Sequence, residues 1–429
     1  MPNSINDNIG AGLWSEQDVA LYNKLDFYLA KQQVEFFPQW ETYGKLLSSQ
    51  RWTPNMGSVM KGVHKEPAPV LRNMFFPNLL TVDPKKDVIE VRENAQSARL
   101  HWHRFESQLL DVTPSFQDFL TDSVTAANED IARKVKVAED MFYRTYLFHA
   151  SPFVWIAGKT GGTAELTAAT HIAGSVAAAG LTEAKNTAEV QALVALVGAG
   201  VAGGLSLKQL AKLSTVMTTD LEATYYEGSA SQEVDEGLKG KYCLVTSGEV
   251  WDNFQFDPFL LANRQINLDL VTGKFRGSFF GRWTTMLERF PIRIKADGTI
   301  PAPQVVETDS AKHDFGETKP NPAYTAAPFE VSFAFGSDGY KKLEVGPPPA
   351  AFAKGEMSMK DFRGLQWNGM TRITKDILVK TRDENNDIVL DTNKYGHKLQ
   401  LISELTMGIC PTRRRNVIPV IYRRLRAGE

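Results

Sequence analysis

Several residue patterns are rare or missing in this chain, and each absence narrows the possible functions. The 429 residues include only two cysteines, Cys243 and Cys410, which lie far apart and lack C-x-x-C spacing. We therefore expect neither a disulfide framework nor a cysteine zinc site, and a reducing compartment fits best. No uncharged apolar run approaches the roughly 20 residues that span a bilayer, and the first residues lack the basic start and apolar core of a secretory signal. The formal net charge is -2, so the chain as a whole is not a polycation built to hold nucleic acid.

Motifs for catalysis and metal binding are also missing. The sequence has no G-x-S-x-G elbow, no H-E-x-x-H and no cysteine with an obvious activating histidine. Its seven histidines include no helical i, i+4 pair. His101 and His103 share a face if their segment is a strand, but two imidazoles do not make a metal site. The sequence therefore predicts no enzyme, no cofactor and no metal.

Two glycine-rich stretches imitate nucleotide-binding loops. In "VGAGVAGG" (197–204) the glycines have G-x-G-x-x-G spacing, but the preceding "TEAKNTAEVQALVALV" is typical of a helix, whereas a dinucleotide site needs a strand there. In "FVWIAGKTGGT", Phe153 stands where a phosphate loop needs its first glycine, and we expect the preceding segment to be the end of a helix. Both stretches favour a structural role for the glycines.

The strongest secondary-structure signal is a long amphipathic helix. We expect a helix of about 34 residues between Pro114 and Pro152, with a length of roughly 50 Å. Residues spaced by three and four form its apolar stripe: Phe116, Leu120, Val124, Ala127, Ile131, Val135, Ala138, Phe142 and Tyr146. We expect the opposite side to face solvent, with Asp122, Glu129, Arg133, Lys136 and Arg144.

Shorter elements are predicted downstream of this helix. "LSLKQLAKLSTVMTTDLEA" indicates a second amphipathic helix capped by Ser206, and "DPFLLANRQINLDLV" a third opened by Pro258. Strands are predicted for "KYCLVTSGEVWDNF", for the pair in "GKFRGSFFGRWTTMLERFPIRI", and for "FEVSFAF" within the proline-rich stretch 296–364. The end, "KLQLISELTMGICPTRRRNVIPVIYRRLR", indicates two strands that bracket an arginine cluster. The whole cluster comprises Arg413, Arg414, Arg415, Arg423, Arg424 and Arg426, and it is either a solvated strand end or a contact with an acidic neighbour or phosphate.

The first 110 residues suggest projections. A helical signal from Ser15 to Leu29 gives way to a polar stretch, "ETYGKLLSSQRWTPNMGSV", that we interpret as an extended arm laid over another surface. Residues 66–110 are typical of a two-stranded projection, with "DVIEVR" and "SARLHWHRF" as strands and "ENAQ" as the tip. Alternation in the second strand places Arg99, His101 and His103 on one face.

This order of elements resembles the major capsid proteins of tailed bacteriophages, which have the Hong Kong 97-type fold. The resemblance implies an α+β chain whose long helix is the spine of a peripheral domain. It also implies the following domain boundaries: 1–65, N-terminal arm; 66–110, extended E-loop hairpin; 111–239, peripheral domain with the spine helix; 240–364, axial α/β domain with a proline-rich insertion; 365–429, C-terminal strands returning to the axial and peripheral domains.

The function implied by the resemblance is structural. Copies of the chain would form hexamers and pentamers of an icosahedral virion shell around double-stranded DNA, assembled in the host bacterial cytoplasm. Scaffolding, portal and decoration proteins and non-specific packaged DNA would be partners, without a membrane or cofactor. Candidate inter-subunit or DNA-side contacts are Arg99, His101, His103, Arg413, Arg414 and Arg415. The alternatives are another self-assembling component (tail, portal or encapsulating compartment) and an enzyme with an unrecognised site.

Overall fold

The computed structural model describes the parts of the chain that form its cores and sheets. These are residues 29, 42–51, 59–62, 96–99, 101–107, 110–111, 117–157, 165–168, 187–198, 204–226, 237–255, 275–279, 282–302, 321–344, 371–373, 380–382, 388–390 and 398–425. The predicted N-terminal helix before Leu29, the strand "DVIEVR" and the helix opened by Pro258 lie outside them.

The helices in the described residues include one that is far longer than the rest. They are α1 (Tyr43–Leu46), α2 (Gln117–Ala150), α3 (Thr187–Gly198), α4 (Leu207–Thr219), α5 (Gly248–Gln255) and α6 (Pro322–Thr325), with a 3-10 turn at Arg414–Asn416. None of these described helices is both long and apolar enough to cross a membrane.

Short strands make up most of the remaining regular structure. They are β1 (Ser48–Arg51), β2 (Val59–Gly62), β3 (Gln96–Arg99), β4 (His101–Glu106), β5 (Leu110–Asp111), β6 (Phe153–Ile156), β7 (Glu165–Ala168), β8 (Tyr242–Thr246), β9 (Phe275–Phe279), β10 (Trp283–Leu287), β11 (Ile292–Ile294), β12 (Phe329–Phe335), β13 (Tyr340–Glu344), β14 (Thr371–Ile373), β15 (Lys380–Arg382), β16 (Ile388–Leu390), β17 (Lys398–Leu399), β18 (Leu401–Met407), β19 (Ile409–Pro411) and β20 (Val417–Arg423).

The main sheet has eight strands in the order β7-β6-β20-β12-β8-β10-β9, with β11 also paired to β12. The β6–β20 and β8–β10 pairs are parallel and the others are antiparallel. Strand β12 lies at the centre, and all seven of its residues are buried. Two smaller three-stranded sheets have the orders β1-β13-β19 and β14-β18-β4.

The main sheet is covered on both faces, which explains its continuous apolar strands. Phe333 and Phe335 of β12 point to one face, where they join Tyr43, the end of α2 and α3 in one core. Ala334 points to the other face, where helices α4 and α5 pack in a second core. Alternation along each strand therefore supplies two apolar layers from one set of residues.

A third core lies under the first half of α2. Val124, Ile131 and Val135 of the helix pack with Leu401 and Leu405 of β18. The helix lies against all three strands of the β14-β18-β4 sheet. This arrangement confirms the predicted apolar stripe at these helix positions.

The second half of α2 departs from the one-sided helix that the periodicity predicts. Arg144, expected to face solvent, is buried, with only 5% of its side chain exposed, and lies beside Glu288. Tyr143, Leu147 and Phe148 are also buried there, because this part of the helix enters the core of the main sheet. The expectation for Arg144 was wrong because a second sheet covers what would be a solvent face in a helix packed on one side.

Several predicted strands are present, but their surroundings differ from the expectation. "FEVSFAF" is the central strand of the main sheet, so the stretch 296–364 is not wholly an insertion. Residues 42–51, assigned to an extended arm, contribute helix α1, strand β1 and the buried side chain of Tyr43. "FVWI" is strand β6 rather than a helix end. "KYCLVTSGEVWDNF" is a strand followed by helix α5.

Candidate functional site

Strand β4 is the candidate functional element that the structure describes best. It pairs antiparallel with β18 along its whole length, from His101 opposite Met407 to Glu106 opposite Ile402. Within the described residues its other edge has no partner strand, because the sheet order is β14-β18-β4. An edge strand presents backbone N–H and C=O groups that another strand can bind. Among the described strands, the second edge of β4 is thus available to a partner.

The side chains of β4 are unusually exposed for a strand with aromatic residues. His101, Trp102, His103 and Arg104 are all exposed, and Trp102 retains 59% of its accessible surface. It is one of two exposed large hydrophobic residues among those described; the other is Ile300, at 38%. A large exposed apolar ring on an open strand edge is a feature of interaction surfaces.

The two faces of β4 have different neighbours. On one face the ring of His101 lies 5.0 Å from that of Phe142 in α2, and His103 stacks on Phe105 at 5.9 Å. By alternation the other face carries Trp102 and Arg104. Arg104 Nε lies 2.7 Å from Glu106 Oε1. The two histidines therefore lie on the face that packs towards the helix, while the tryptophan lies on the face turned away from it.

The segment before β4 also forms a ribbon, with a partner that the sequence did not suggest. Strand β3 pairs antiparallel with β2, from Arg99 opposite Val59 to Gln96 opposite Gly62. Gln96, assigned to the tip, is therefore within a strand. The described residues of the second predicted strand, "SARLHWHRF", are extended as expected and belong to β3 and β4.

The arginine cluster after β19 lies in an ordered loop. The backbone N–H groups of Thr412 and Arg413 both donate to the carbonyl of Gly339, and Arg415 Nη1 donates to the carbonyl of Leu221 at 3.3 Å. The buried amide of Asn416 donates to Thr224 Oγ1 at 3.1 Å and to the carbonyl of Ser337. The arginines themselves are half-buried. The loop thus presents its charges from a fixed backbone.

The structure places the six predicted contact residues on neighbouring but separate elements. Arg99 lies on β3, and His101 and His103 lie on β4. Arg413 to Arg415 follow β19, which lies beside β2 and β3. The ribbon and the arginine loop are therefore adjacent in the fold, although about 300 residues separate them in the sequence.

The structure contains a buried charge network that no sequence pattern indicates. Glu330, fully buried on β12, accepts from Arg293 Nε at 3.2 Å and from the Tyr422 hydroxyl at 2.5 Å. Arg424 Nε lies 3.7 Å from the same carboxylate and donates to Glu249 at 2.9 Å. Burial first, and then the adjacent carboxylate of Glu330, raise the pKa of Tyr422 well above its ordinary value.

This network decides the role of Arg424, one member of the C-terminal arginine cluster. Besides Glu249, its guanidinium donates to the carbonyls of Thr325 and Ala327 at 2.9 and 2.8 Å. Its acidic neighbour is therefore inside the same subunit. Arg423, one residue earlier, is exposed. The run "YRR" is a weak sequence signal for this difference, because adjacent residues in an extended segment point to opposite faces.

The residues before the glycine stretch form a helix. Helix α3 runs up to Gly198, so a helix rather than a strand leads into the G-x-G-x-x-G residues. Helix α4 begins after Ser206, whose hydroxyl accepts from the N–H of Gln209, while the Gln209 side chain accepts from the N–H of Ser206. This capping box confirms Ser206 as the N-cap. A dinucleotide site requires a strand before the glycine turn, and the chain has a helix there.

The cysteines and acidic groups do not form a reactive centre in the described residues. Cys243 and Cys410 are both buried thiols, and burial raises the pKa of both, that of Cys410 to about 11. Thiols are weak nucleophiles in their protonated form. In the part of the chain that the structure describes, no three His, Cys, Asp or Glu residues lie close enough to hold a metal ion.

Comparison with known proteins gives matches at the level of structure. No family model and no curated protein sequence matches the chain. The capsid of Ralstonia phage GP4 is similar over 91% of this chain and 92% of its own, with 12% identity and a TM-score of 0.45. The capsid of cyanophage Pam1 covers 92% of both chains at 11% identity and a TM-score of 0.42. The SrpI encapsulin complex of Synechococcus elongatus PCC 7942 covers 92% of this chain and 90% of its own at 8% identity and a TM-score of 0.38. The phage capsids among these similar structures are of the kind that the order of elements in the sequence resembles.

Proposed function

We propose that this chain is a structural protein that assembles with copies of itself into a closed shell, and that this shell is the capsid of a tailed phage. The main support for the proposal is that strand β4 has an exposed tryptophan and, within the described residues, an unpaired edge. A folded subunit gains nothing from leaving such a ring in water. The ring becomes favourable when a neighbouring subunit covers it.

The free energy available at Trp102 is large for one residue. Aromatic side chains bury about 150–250 Å² each, so a ring that is 59% exposed leaves on the order of 100 Å² for a partner. At about 25 cal/mol per Å² this amounts to roughly 2.5 kcal/mol per contact. Tryptophan and arginine are the residues most enriched among energetic hot spots, and Arg104 lies on the same face. A closed shell repeats this contact at every subunit.

The support behind β4 suits a contact that must be held in one position. Six residue pairs join β4 to β18, and β18 packs on the 34-residue helix α2. The core between them contains Ile131, Val135, Leu401 and Leu405. A rigid support reduces the ordering cost of association, which favours assembly at a defined angle.

The remaining partners belong to the same proposal. Arg413, Arg414 and Arg415 lie half-buried in the ordered loop beside the β2–β3 ribbon, where they offer fixed charges to an acidic neighbour or to DNA phosphates. Scaffolding, portal and decoration proteins, and assembly in the host cytoplasm, follow from the phage capsid assignment. An encapsulating compartment would use the same exposed strand without enclosing a genome.

Assembly of the purified full-length chain tests this function. We expect size-exclusion chromatography and negative-stain imaging to show closed shells or capsomer-sized rings. We expect Trp102→Ala to shift the population to unassembled subunits, because each contact loses about 2 kcal/mol or more, a factor of roughly 30 in its equilibrium constant.

The matched control is Ile300→Ala, which removes the other exposed large hydrophobic residue outside the strand. This variant should assemble like the parent, and both variants should keep the parent's circular dichroism. Normal shells from Trp102→Ala would show that β4 is not the contact strand. A parent chain that stays monomeric or forms only dimers would refute shell formation.

A further inference from the structure

A second cluster of buried ionisable groups lies where three parts of the chain meet. Arg144 belongs to helix α2, Glu288 follows strand β10 of the main sheet, and Tyr43 belongs to helix α1. All three border one small pocket together with Asp140 and Arg289. The side chains of Arg144 and Glu288 are 5% and 4% exposed. Contacts here therefore contribute to the joint between the long helix and the main sheet, together with the apolar core beside them.

The contact between the two charged groups is loose. Arg144 Nη1 lies 3.4 Å from Glu288 Oε1, a long distance for a charge-assisted hydrogen bond. Within the described residues, Arg144 Nε and Glu288 Oε2 have no hydrogen-bond partner of good geometry, and the Tyr43 hydroxyl, which lies near the Glu288 carboxyl, also lacks one. A buried ion pair compensates for lost hydration only when its remaining polar atoms are satisfied. The geometry therefore fits a neutral Glu288 better than an ionised one.

The neighbouring charges point in the same direction. Asp140 of α2 accepts from the backbone N–H groups of Thr42 and Tyr43 at 2.8 and 3.1 Å, so it is stabilised as an anion close to Glu288. Glu330, on β12, adds a further negative charge. Arg144 is the positive charge that counteracts them, and Tyr324 of α6 and Arg289 complete the titratable and charged groups around the joint.

We propose that the contact between Arg144 and Glu288 is a proton-controlled joint between the long helix and the main sheet. A protonated Glu288 keeps the joint closed. An ionised Glu288 has one long contact to Arg144 and two carboxylates nearby, so it favours an opening that lets water reach the carboxylate. The joint is a property of the folded subunit, so it does not depend on shell formation.

The titration of Glu288 gives the pH range. Burial raises the pKa of its carboxyl to about 8, an effect that Arg144 and Tyr43 only partly offset. The folded state therefore holds a proton that the unfolded chain releases near its ordinary value of 4.5. The stabilisation is complete below about pH 4.5 and is lost as the pH rises through about 8. Across this interval the unfolding constant should increase by up to about tenfold per pH unit from this group alone.

Unfolding of the full-length subunit in urea between pH 6 and pH 9 tests the joint. We expect the wild-type midpoint to fall as the pH rises, and Glu288→Gln to remove most of that fall because an amide keeps the shape without the titration. Glu129→Gln, which alters an exposed carboxyl on the same helix, should keep the wild-type dependence.

Infrared difference spectra of the wild type supply a readout that needs no variant. A protonated buried carboxyl gives a C=O band that is separate from those of carboxylates, and we expect one to disappear as the pH rises through about 8. Absence of such a band in the wild type would overturn the proposal, as would an equal pH slope in folded Glu288→Gln. Loss of the band in Glu288→Gln would assign it to this residue.

Discussion

Ile131 provides the most direct test of the third core, on which strand β4 depends. Its side chain is 2% exposed and packs between α2 and β18, in the cluster that includes Leu401 and Leu405. Replacing it with alanine removes three carbon atoms, at about 0.8 kcal/mol each for transfer from water. The cavity left behind adds up to about 2 kcal/mol, because packed surroundings relax only partly. We therefore expect Ile131→Ala to lower the free energy of unfolding by roughly 2.5–4.5 kcal/mol.

The measurement is urea unfolding of unassembled subunits, followed by circular dichroism and tryptophan fluorescence. Glu129→Ala is the matched control, because Glu129 is an exposed residue of the same helix only two positions away. It should change stability by no more than about 0.5 kcal/mol. Equal midpoints for Ile131→Ala and the parent would refute the buried face of the helix, as would a larger loss from Glu129→Ala.

Two further variants test the polar parts of the fold. Arg424→Met should lower the free energy of unfolding, measured by thermal melts, by about 3–5 kcal/mol, because Glu330 is completely buried and loses one of its two guanidinium partners. Arg423→Met, at the exposed neighbouring position, should leave the melting temperature nearly unchanged. Ser206→Ala should lower the free energy of unfolding by about 1 kcal/mol, because helix α4 loses its N-cap. Thr215→Ala, at an exposed position of the same helix, should change it little. Equal stability of the two variants in urea would show that the cap contributes nothing.

The features that the sequence predicts correctly are local ones. The three-and-four spacing around Ile131 predicts a helix of about 34 residues, and helix α2 has 34. The same applies to Ser206, since a cap bonds within its own turn. The helical character of residues before Gly198 also separated the glycine stretch from a dinucleotide turn. Each of these features is determined by residues a few positions apart.

Features that depend on distant partners were not predictable in the same way. Arg144 lies on the polar side of α2 by spacing, yet Glu288, 144 residues later, meets it in the interior. Prolines surround the sequence of strand β12 and suggest an insertion or long ordered loops, whereas its partners β8 and β20 make it the centre of the main sheet. Periodicity shows which side chains share a face and leaves open what covers that face.

The candidate site shows the same division. Alternation in "SARLHWHRF" predicts that His101 and His103 lie on the opposite strand face from Trp102. The extended backbone of β4 agrees with this prediction. The partner β18 lies about 300 residues away, so the exposed edge of β4 could not be inferred from the sequence. The different roles of the arginines also depend on long-range contacts. Arg424 pairs with Glu249 inside the subunit, whereas Arg415 belongs to the loop and donates to the carbonyl of Leu221.

Glu330 and Trp102 differ in whether the described part of the subunit supplies their contacts. Glu330 has no exposed surface, and the subunit meets its charge with Arg293, Arg424 and the Tyr422 hydroxyl, all from within the same chain. Trp102, by contrast, keeps more than half of its surface exposed on a strand that is paired with β18 along its whole length. A fold that supplies internal partners to a buried carboxylate could also have covered one ring, for example by extending the β14-β18-β4 sheet by another strand. The exposed ring therefore points to a partner outside the subunit, and association should act on β4 while the network remains unchanged.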